Sequence, residues 1–238
     1  AGHHAPHAGR GARRALMGAL DETAPIGRFL RRAGEPMRGE DGFFSVSAPE
    51  DLPQLSALLR RDLLLALMRG GVEIWDADST YVTPGVTVGA GTVLLPGTVL
   101  QGRTAVGEDC TLGPNTRILD SQLGDRCVVE QSRVEGAKLG SDLQVGPFAN
   151  LRPGTVMETG SKAGAFVELK NTNLGQEAKV PHLSYLGDAA IGAGANVGCG
   201  TVTANFDRVE KHFTVVEENA FLGCNSTLVA PVNVGRGA

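Results

Sequence analysis

The chain is poor in aromatic residues, with one Trp, two Tyr and eight Phe among 238 residues. Large rings dominate the packing of most globular cores, so this shortage indicates an interior too narrow to hold them. Cysteine is also scarce. Cys110, Cys127, Cys199 and Cys224 stand at no spacing typical of metal ligands and give no disulfide framework. We therefore expect free thiols in a reducing cytoplasm.

Long apolar runs and a strong charge of one sign are missing too. No segment is long and apolar enough to span a bilayer, and the first forty residues lack the compact apolar stretch of a secretory signal. The net charge is only −4. Residues 1–40 hold seven Arg and four acidic residues, but they lack interleaved aromatic residues and patterned Lys. Neither a nucleic acid nor a membrane is expected as a partner.

What the chain does have is an apolar residue at every sixth position, usually followed by Gly or another small residue. The pattern begins near Val88 and, with one-residue slips, continues to the C-terminus. Its first regular stretch contains Val88, Leu94, Leu100, Val106, Leu112 and Ile118. A period of six fits neither an α-helix nor an alternating strand. It is typical of a hexapeptide β-helix, in which each hexad forms one side of a coil and successive coils stack.

Glycine supports the same architecture. It supplies 33 of the 238 residues, about twice the usual share, and Gly or Asn tolerates the left-handed backbone region that tight corners need. Hexads of this kind resemble those of left-handed β-helices, a rare exception to right-handed crossovers. We therefore predict an all-β fold, a left-handed parallel β-helix of roughly eight to nine coils, preceded by a short α-helical linker.

Three segments are predicted along the chain. Residues 1–45 form a basic, poorly ordered arm. Residues 46–71 form a linker that is helical over 47–69, where Ser47 and Glu50 make a capping box and Gly70-Gly71 ends the helix. Residues 72–238 form the hexapeptide-repeat β-helix.

Four strings stand out between residues 146 and 207. They read Gly146-Pro-Phe-Ala-Asn-Leu-Arg-Pro-Gly154, Ala165-Phe-Val-Glu-Leu-Lys170, Val180-Pro-His-Leu-Ser-Tyr-Leu-Gly-Asp188 and Asn196-Val-Gly-Cys-Gly-Thr-Val-Thr-Ala-Asn-Phe-Asp207. In this order and spacing they resemble the acetyltransferase half of the bifunctional bacterial glucosamine-1-phosphate acetyltransferase/N-acetylglucosamine-1-phosphate uridyltransferase family. The resemblance runs from about Ser45 to Ala238. It implies an enzyme of UDP-N-acetylglucosamine and cell-wall biosynthesis that uses acetyl-coenzyme A as co-substrate.

His182 is the only plausible base among these residues, because a His titrates near neutrality and an attacking ammonium must lose a proton. The resemblance implies that His182 is the general base acting on the 2-amino group of glucosamine-1-phosphate. Arg152 and Lys170 are three hexads apart, so both should project from one face on successive coils. Two stacked cations suit a sugar phosphate, and the resemblance implies that use.

The resemblance alone implies the remaining site residues. Those at the sugar site are Tyr185, Asn196, Asn205 and Lys211. Those at the acetyl-coenzyme A site are Cys199, Phe206 and Cys224, which replace an Ala, a Tyr and a Ser that the family usually has. The family associates in threes with the pocket between neighbouring chains, so a homotrimer is implied. No metal is expected in this half.

Two hypotheses of function stay open. The chain shows no Gly-rich nucleotide loop of the uridyltransferase half, and it stops at Gly235-Arg-Gly-Ala238 where the family continues with further coils. The first hypothesis is an active glucosamine-1-phosphate N-acetyltransferase. The second is a C-terminally truncated, catalytically impaired homologue that keeps the trimeric β-helix and sugar-phosphate binding. A hexapeptide-repeat carbonic anhydrase is rejected, because it needs three zinc-binding histidines and the coil region offers only His182 and His212.

Overall fold

A computed structural model of the chain describes residues 38–39, 42–43 and 52–238. The chain divides into two compact units, residues 1–65 and 66–238. Of the predicted basic arm, the described part is a pair of antiparallel strands, β1 (Arg38–Gly39) and β2 (Gly42–Phe43). The rest of the arm lies outside the described residues, as does the capping box predicted at Ser47 and Glu50.

The linker contains the helix α1, which spans Leu52–Arg69. Its C-terminus is closed by the amide of Val72, which donates to the carbonyl of Leu67 at 3.1 Å. Gly71 makes this return possible because it adopts a φ of +93°, a left-handed conformation that costs Gly little. No helix in the described part of the chain combines the length and the apolarity needed to cross a bilayer.

From Glu73 onward the described chain is a parallel β-solenoid whose short strands stack on three faces. Face A consists of β3 (Glu73–Ile74), β6 (Val93–Leu94), β9 (Thr111–Leu112), β12 (Val128–Val129), β15 (Gln144–Val145), β18 (Lys162–Ala165), β20 (Lys179–His182), β22 (Asn196–Val197) and β25 (Phe221–Leu222). Face B consists of β4 (Tyr81–Val82), β7 (Val99–Gln101), β10 (Arg117–Leu119), β13 (Arg133–Glu135), β16 (Asn150–Leu151), β23 (Val202–Ala204), β26 (Thr227–Val229) and the first halves of β19 (Glu168–Leu174) and β21 (Tyr185–Ile191). Face C consists of β5 (Thr87–Val88), β8 (Ala105–Val106), β11 (Gln122–Leu123), β14 (Lys138–Leu139), β17 (Val156–Met157), β24 (Thr214–Val216), β27 (Val232–Val234) and the second halves of β19 and β21.

The three faces together make nine coils. Val93 pairs with Thr111, Thr111 with Val128 and Val128 with Gln144, so a coil without a loop takes three full hexads or one or two residues fewer. This confirms the prediction of a parallel hexapeptide β-helix of about this length, and the structure is consistent with the left-handed form. β19 and β21 run on from face B into face C without a break, which joins these two faces into one sheet. The functional residues lie around this continuous corner.

The core is a set of columns of inward-facing apolar side chains. Leu94, Leu112, Val129 and Val145 follow one another in register along face A, and each is at most 2% exposed. An isolated coil would leave these side chains in water, whereas stacking removes them from it and gains about 1.5–3 kcal/mol for each. The hexad period therefore marks the residues that hold the coils together.

The corners use the left-handed backbone region more widely than the expected Gly and Asn. Asn115 adopts a φ of +51° as predicted, but Asp188, Phe166 and Leu183 do so as well, at +50°, +58° and +40°. Hydrogen bonds between coils hold them there: the amide of Leu183, for example, donates to the carbonyl of Ala165 at 2.8 Å. Because neighbouring coils fix the backbone, the corners can present larger side chains outward.

Candidate active site

One corner of the solenoid collects polar side chains from four successive coils. It is the corner where face B turns into face C, and we name it the B–C corner. Arg152 comes from the fifth coil, Lys170 from the sixth, Asp188 from the seventh and Asn205 from the eighth. Since neighbouring coils lie about 4.8 Å apart, these side chains form a ladder along the solenoid axis, with Asp188 and Asn205 one residue further along their coils than Arg152 and Lys170.

Asp188 is the buried centre of this ladder, with 8% of the residue exposed. Its Oδ1 accepts a hydrogen bond from Asn171 Nδ2 at 2.7 Å, and its Oδ2 accepts one from Asn205 Nδ2. The ammonium nitrogen of Lys170 lies 3.4 Å from the same Oδ2. Burial raises the pKa of Asp188, but the two amide hydrogen bonds and the charge of Lys170 outweigh burial and leave the pKa below its ordinary value. Asp188 is therefore a carboxylate at neutral pH.

Three cations lie along this ladder. Arg152 Nη1 donates to Glu168 Oε1 of the next coil at 2.9 Å. Lys211 reaches Lys170 from a loop. The proximity of Lys170 lowers the pKa of Lys211 and the charge of Arg152 lowers it further, while the charge of Asp188 offsets part of this effect. Like charges held this close repel one another, and a bound anion would relieve that repulsion.

Lys211 lies on a loop that leaves the solenoid at the B–C corner, between β23 and β24. Phe206 and Lys211 pair across the loop in an antiparallel bridge, and the amide of His212 donates to the carbonyl of Asn205 at 2.8 Å. Asp207, Glu210 and His212 have side-chain ligand atoms within 4.8 Å of one another, a grouping that can hold a metal ion. The loop therefore brings the Lys211 ammonium and a cluster of titratable groups to the corner.

The side chain of Tyr185 covers face B beside the ladder. A Cβ atom placed on Gly187 would collide with the Tyr185 hydroxyl and would lie 2.9 Å from Asn205 Nδ2. The ring can lie there only because Gly187 has no side chain. Tyr185 thus brings a hydroxyl to the edge of the ladder next to Asn205.

The remaining predicted residues lie away from the ladder. The strand register stacks His182, Cys199 and Cys224 on successive coils at the corner where face A turns into face B, the A–B corner. His182 and Cys224 are exposed and Cys199 is half-buried. The described residues offer the His182 imidazole no hydrogen-bond partner. Asn196 begins β22 on face A, one coil after the strand that ends in His182.

Within a single chain, the predicted site residues therefore do not all lie together. Those that the B–C corner brings together are Arg152, Lys170, Tyr185, Asn205 and Lys211. Those that lie elsewhere are His182, Asn196, Cys199 and Cys224, together with Phe206, which is exposed on the loop. The two corners are separated by the width of face B, about 10 Å for three extended residues.

Sequence reasoning missed three residues of this site. Asp188 stands inside one of the four strings but received no role, and its partner Asn171 and the Arg152 partner Glu168 were not named. The signal was present in the spacing. Asn171, Asp188 and Asn205 are evenly spaced in the sequence, and each interval has the length of one coil.

Known proteins have the same repeats and can be aligned with most of this chain. A family model described as hexapeptide repeat of succinyl-transferase matches residues 103–130 and 214–238. The bifunctional protein GlmU of an Exiguobacterium species is 48% identical over 187 residues, which cover 79% of this chain and 42% of the relative. GlmU of Rubrobacter xylanophilus is 46% identical over 228 residues, covering 96% of this chain and 49% of the relative. The chain corresponds to the hexapeptide-repeat acetyltransferase region of GlmU. It spans about half the length of the GlmU proteins that it matches.

The match to GlmU confirms the resemblance seen in the four strings. Among solved structures, UDP-N-acetylglucosamine acyltransferase from Campylobacter jejuni is similar over 69% of each chain, at 17% identity and a TM-score of 0.42. That likeness is too distant to bear on the site.

Proposed function

We propose that the chain transfers the acetyl group of acetyl-coenzyme A to the 2-amino group of glucosamine-1-phosphate. The observation that carries this proposal is the group of three cations at the B–C corner, Arg152, Lys170 and Lys211, of which Lys170 contacts the buried carboxylate of Asp188. The similarity to GlmU supports the choice of substrates. The product, N-acetylglucosamine-1-phosphate, would serve UDP-N-acetylglucosamine synthesis in the cytoplasm.

The phosphate of the sugar would bind the cations of the B–C corner. A guanidinium can hold two phosphate oxygens, while an ammonium acts as a point charge. The Asp188 carboxylate holds the ammonium group of Lys170 and the side-chain amide of Asn205, which lies beside the Tyr185 hydroxyl. The sugar ring would then extend over Tyr185 and face B toward the A–B corner, with Asn196 as a further contact.

The chemical step needs a base at the other end of the sugar. His182 takes a proton from the ammonium group, and the freed amine attacks the thioester carbonyl carbon. The C–S bond then breaks, the nitrogen loses its second proton, and coenzyme A leaves as a thiol. Overall, ammonium and thioester give amide, thiol and one proton. An exposed imidazole without a competing partner suits this role.

The acetyl-coenzyme A side of the site would lie at the A–B corner, near Cys199 and Cys224, with Phe206 on the loop as a further contact. We propose a homotrimer in which neighbouring chains complete this side. An exposed aromatic pair at the same corner supports such contacts: the rings of Phe148 and Phe166 stack with centroids 5.2 Å apart, and both residues are more than half exposed. Exposed apolar clusters of this kind are typical of interaction surfaces.

Two assays on the same variants test the proposal. Calorimetry measures glucosamine-1-phosphate binding, and coenzyme A thiol release measures transfer. Replacing Arg152 or Lys170 with Ala should weaken binding by about 1.5–3 kcal/mol, the scale of a charge-assisted hydrogen bond. His182→Ala should leave binding nearly unchanged and lower transfer by about 10²–10⁴-fold. Arg126→Ala, which removes an exposed cation paired with Asp142, is the matched control and should change neither.

The outcomes separate the two hypotheses. Binding without transfer in the unmutated chain would support the impaired homologue instead of the enzyme. Transfer that survives His182→Ala would remove His182 from the mechanism. Equal losses in Arg152→Ala and Arg126→Ala would remove the B–C corner as the phosphate site.

A further inference from the structure

The loop that carries Lys211 is braced by a single carboxylate. Asp207 Oδ1 accepts hydrogen bonds from the amides of Val209 and Glu210, both at 2.8 Å, and Asp207 Oδ2 lies 2.7 Å from His212 Nε2. One side chain therefore holds the backbone immediately before Lys211 and the side chain immediately after it. Asp207 thus ties together the two flanks of the lysine.

The Asp207 contacts are needed because two features of the loop favour a different conformation. Arg208, at the tip, adopts a φ of +83°, a conformation that is unfavourable for a residue with a side chain. Lys211 is directed toward Lys170 and Arg152, whose charges repel it and outweigh the attraction of Asp188. A loop without restraint would relax the tip and move the Lys211 ammonium away from the other cations.

We propose that Asp207 and His212 are positioning residues, whose carboxylate–imidazole pair holds the loop so that Lys211 stays in the phosphate site. This inference rests on the proposed function, because it assigns Lys211 to the sugar phosphate. The pair acts through Lys211 and touches no substrate itself.

The charged groups around the pair agree with this role. The contact with Asp207 raises the pKa of His212, and Glu210 adds to the effect, so the imidazole favours its charged form beside the carboxylate. The same three side chains form the grouping that could bind a cation. Both Asp207 oxygens, however, already accept hydrogen bonds or contact the imidazole, and an ion would have to displace these partners. The geometry favours the ion pair over a metal site.

A double-mutant cycle with glucosamine-1-phosphate as the ligand tests the proposal. Lys211→Ala should weaken binding about tenfold to a hundredfold. Asp207→Asn, which keeps the size of the side chain but removes its charge, should weaken it about tenfold. If Asp207 acts through Lys211, Asp207→Asn should change binding less than about twofold in the Lys211→Ala background. Glu210→Gln is the matched control on the same loop and should bind like the unmutated chain.

Conservative rescue provides a second readout. His212→Gln keeps a nitrogen donor for Asp207 and should retain most of the affinity, whereas His212→Ala should lose about as much as Asp207→Asn. NMR titration of the Lys211 side chain supplies a ligand-free measure: release of the loop in Asp207→Asn should move the lowered pKa of Lys211 upward, toward that of an ordinary lysine. A pKa that stays the same in the variant would overturn the proposal even if no sugar phosphate binds.

The remaining outcomes are also decisive. Equal weakening by Asp207→Asn with and without Lys211 would show a general structural effect and overturn the proposal. Loss of affinity in a chelator, restored by Zn²⁺, would show a metal site in its place. An unmutated chain that does not bind glucosamine-1-phosphate, but in which Asp207→Asn still raises the pKa of Lys211, would overturn the proposed function and leave the loop brace standing.

Discussion

Replacing Asp188 with Asn tests the centre of the B–C corner. The carboxylate accepts hydrogen bonds from Asn171 and Asn205 and lies 3.4 Å from the Lys170 ammonium. An Asn side chain has one oxygen, so at least one of the two amide donors would meet an NH₂ group, and Lys170 would lose its counter-charge. Losing one charge-assisted hydrogen bond at a buried position costs about 1.5–3 kcal/mol. We expect the free energy of unfolding to fall by that amount at pH 7.

Asp142→Asn is the matched control. Asp142 also lies at a corner, with a φ of +61°, and it pairs with Arg126 through two contacts at 2.7 and 2.9 Å. Both side chains of this pair are about half exposed, at 56% and 46%. A pair in that setting contributes only about 0–1 kcal/mol. The two variants make the same chemical change at the same kind of corner, so they differ chiefly in burial and in the number of partners.

Urea denaturation, followed by circular dichroism, measures the free energy of unfolding of both variants. Repeating the measurement at several pH values tests whether the charge of Asp188 is responsible. Because the pKa of folded Asp188 lies below its ordinary value near 4, its stabilisation is complete above that pH and is lost as the pH falls through the folded pKa. The difference between Asp188→Asn and the unmutated chain should therefore shrink in acid. A loss at pH 7 no larger than that of an ordinary surface substitution, or one equal to that of Asp142→Asn, would refute this account of the corner.

The charges and the core give two further predictions. Lys211 has a lowered pKa in the free site, so affinity for glucosamine-1-phosphate should begin to fall at a pH below the ordinary lysine range near 10.4. Lys211→Arg should abolish that fall in calorimetry between about pH 7 and 10, because a guanidinium does not titrate there; an unchanged profile would contradict the assignment. Leu151 is fully buried between Val134 and Leu169 of the neighbouring coils. Leu151→Ala should cost about 2–5 kcal/mol in urea denaturation, whereas Asn150→Ala on the outward side of the same strand should cost less than about 0.5 kcal/mol.

The sequence predicts the solenoid well because its signal is repeated in every coil. Hexad residues such as Leu94 and Leu112 each fill the same kind of position, so single slips do not hide the period. The Gly70-Gly71 stop is similarly local, since the closing bond from Val72 to Leu67 spans only one turn. Both predictions rest on residues whose environment is set by near neighbours in the chain or by strict repetition.

The site is harder to predict because its contacts depend on the exact length of each coil. Arg152 and Lys170 are three full hexads apart, but Asn171 and Asp188 are one residue closer, and only the register shows which pairs meet. The partner of Arg152, Glu168, lies diagonally across the coil boundary. The path of the loop that returns Lys211 to Lys170 has no hexad signal at all. The division of His182 and Lys170 between two corners likewise appears only when the faces are assembled.

The B–C corner also constrains how the length of this protein can change. Position along the chain acts as an angle around the solenoid axis, with about one third of a revolution for every hexad. Adding one hexad between Arg152 and Asn205 would rotate every later residue onto another face and take the ladder apart, whereas adding a whole coil would lengthen it by one rung. The loop between β23 and β24 avoids both effects. The chain leaves the solenoid and re-enters it at the same corner, so later residues stay on the same faces. Insertions that keep the site intact should therefore be confined to such corner excursions.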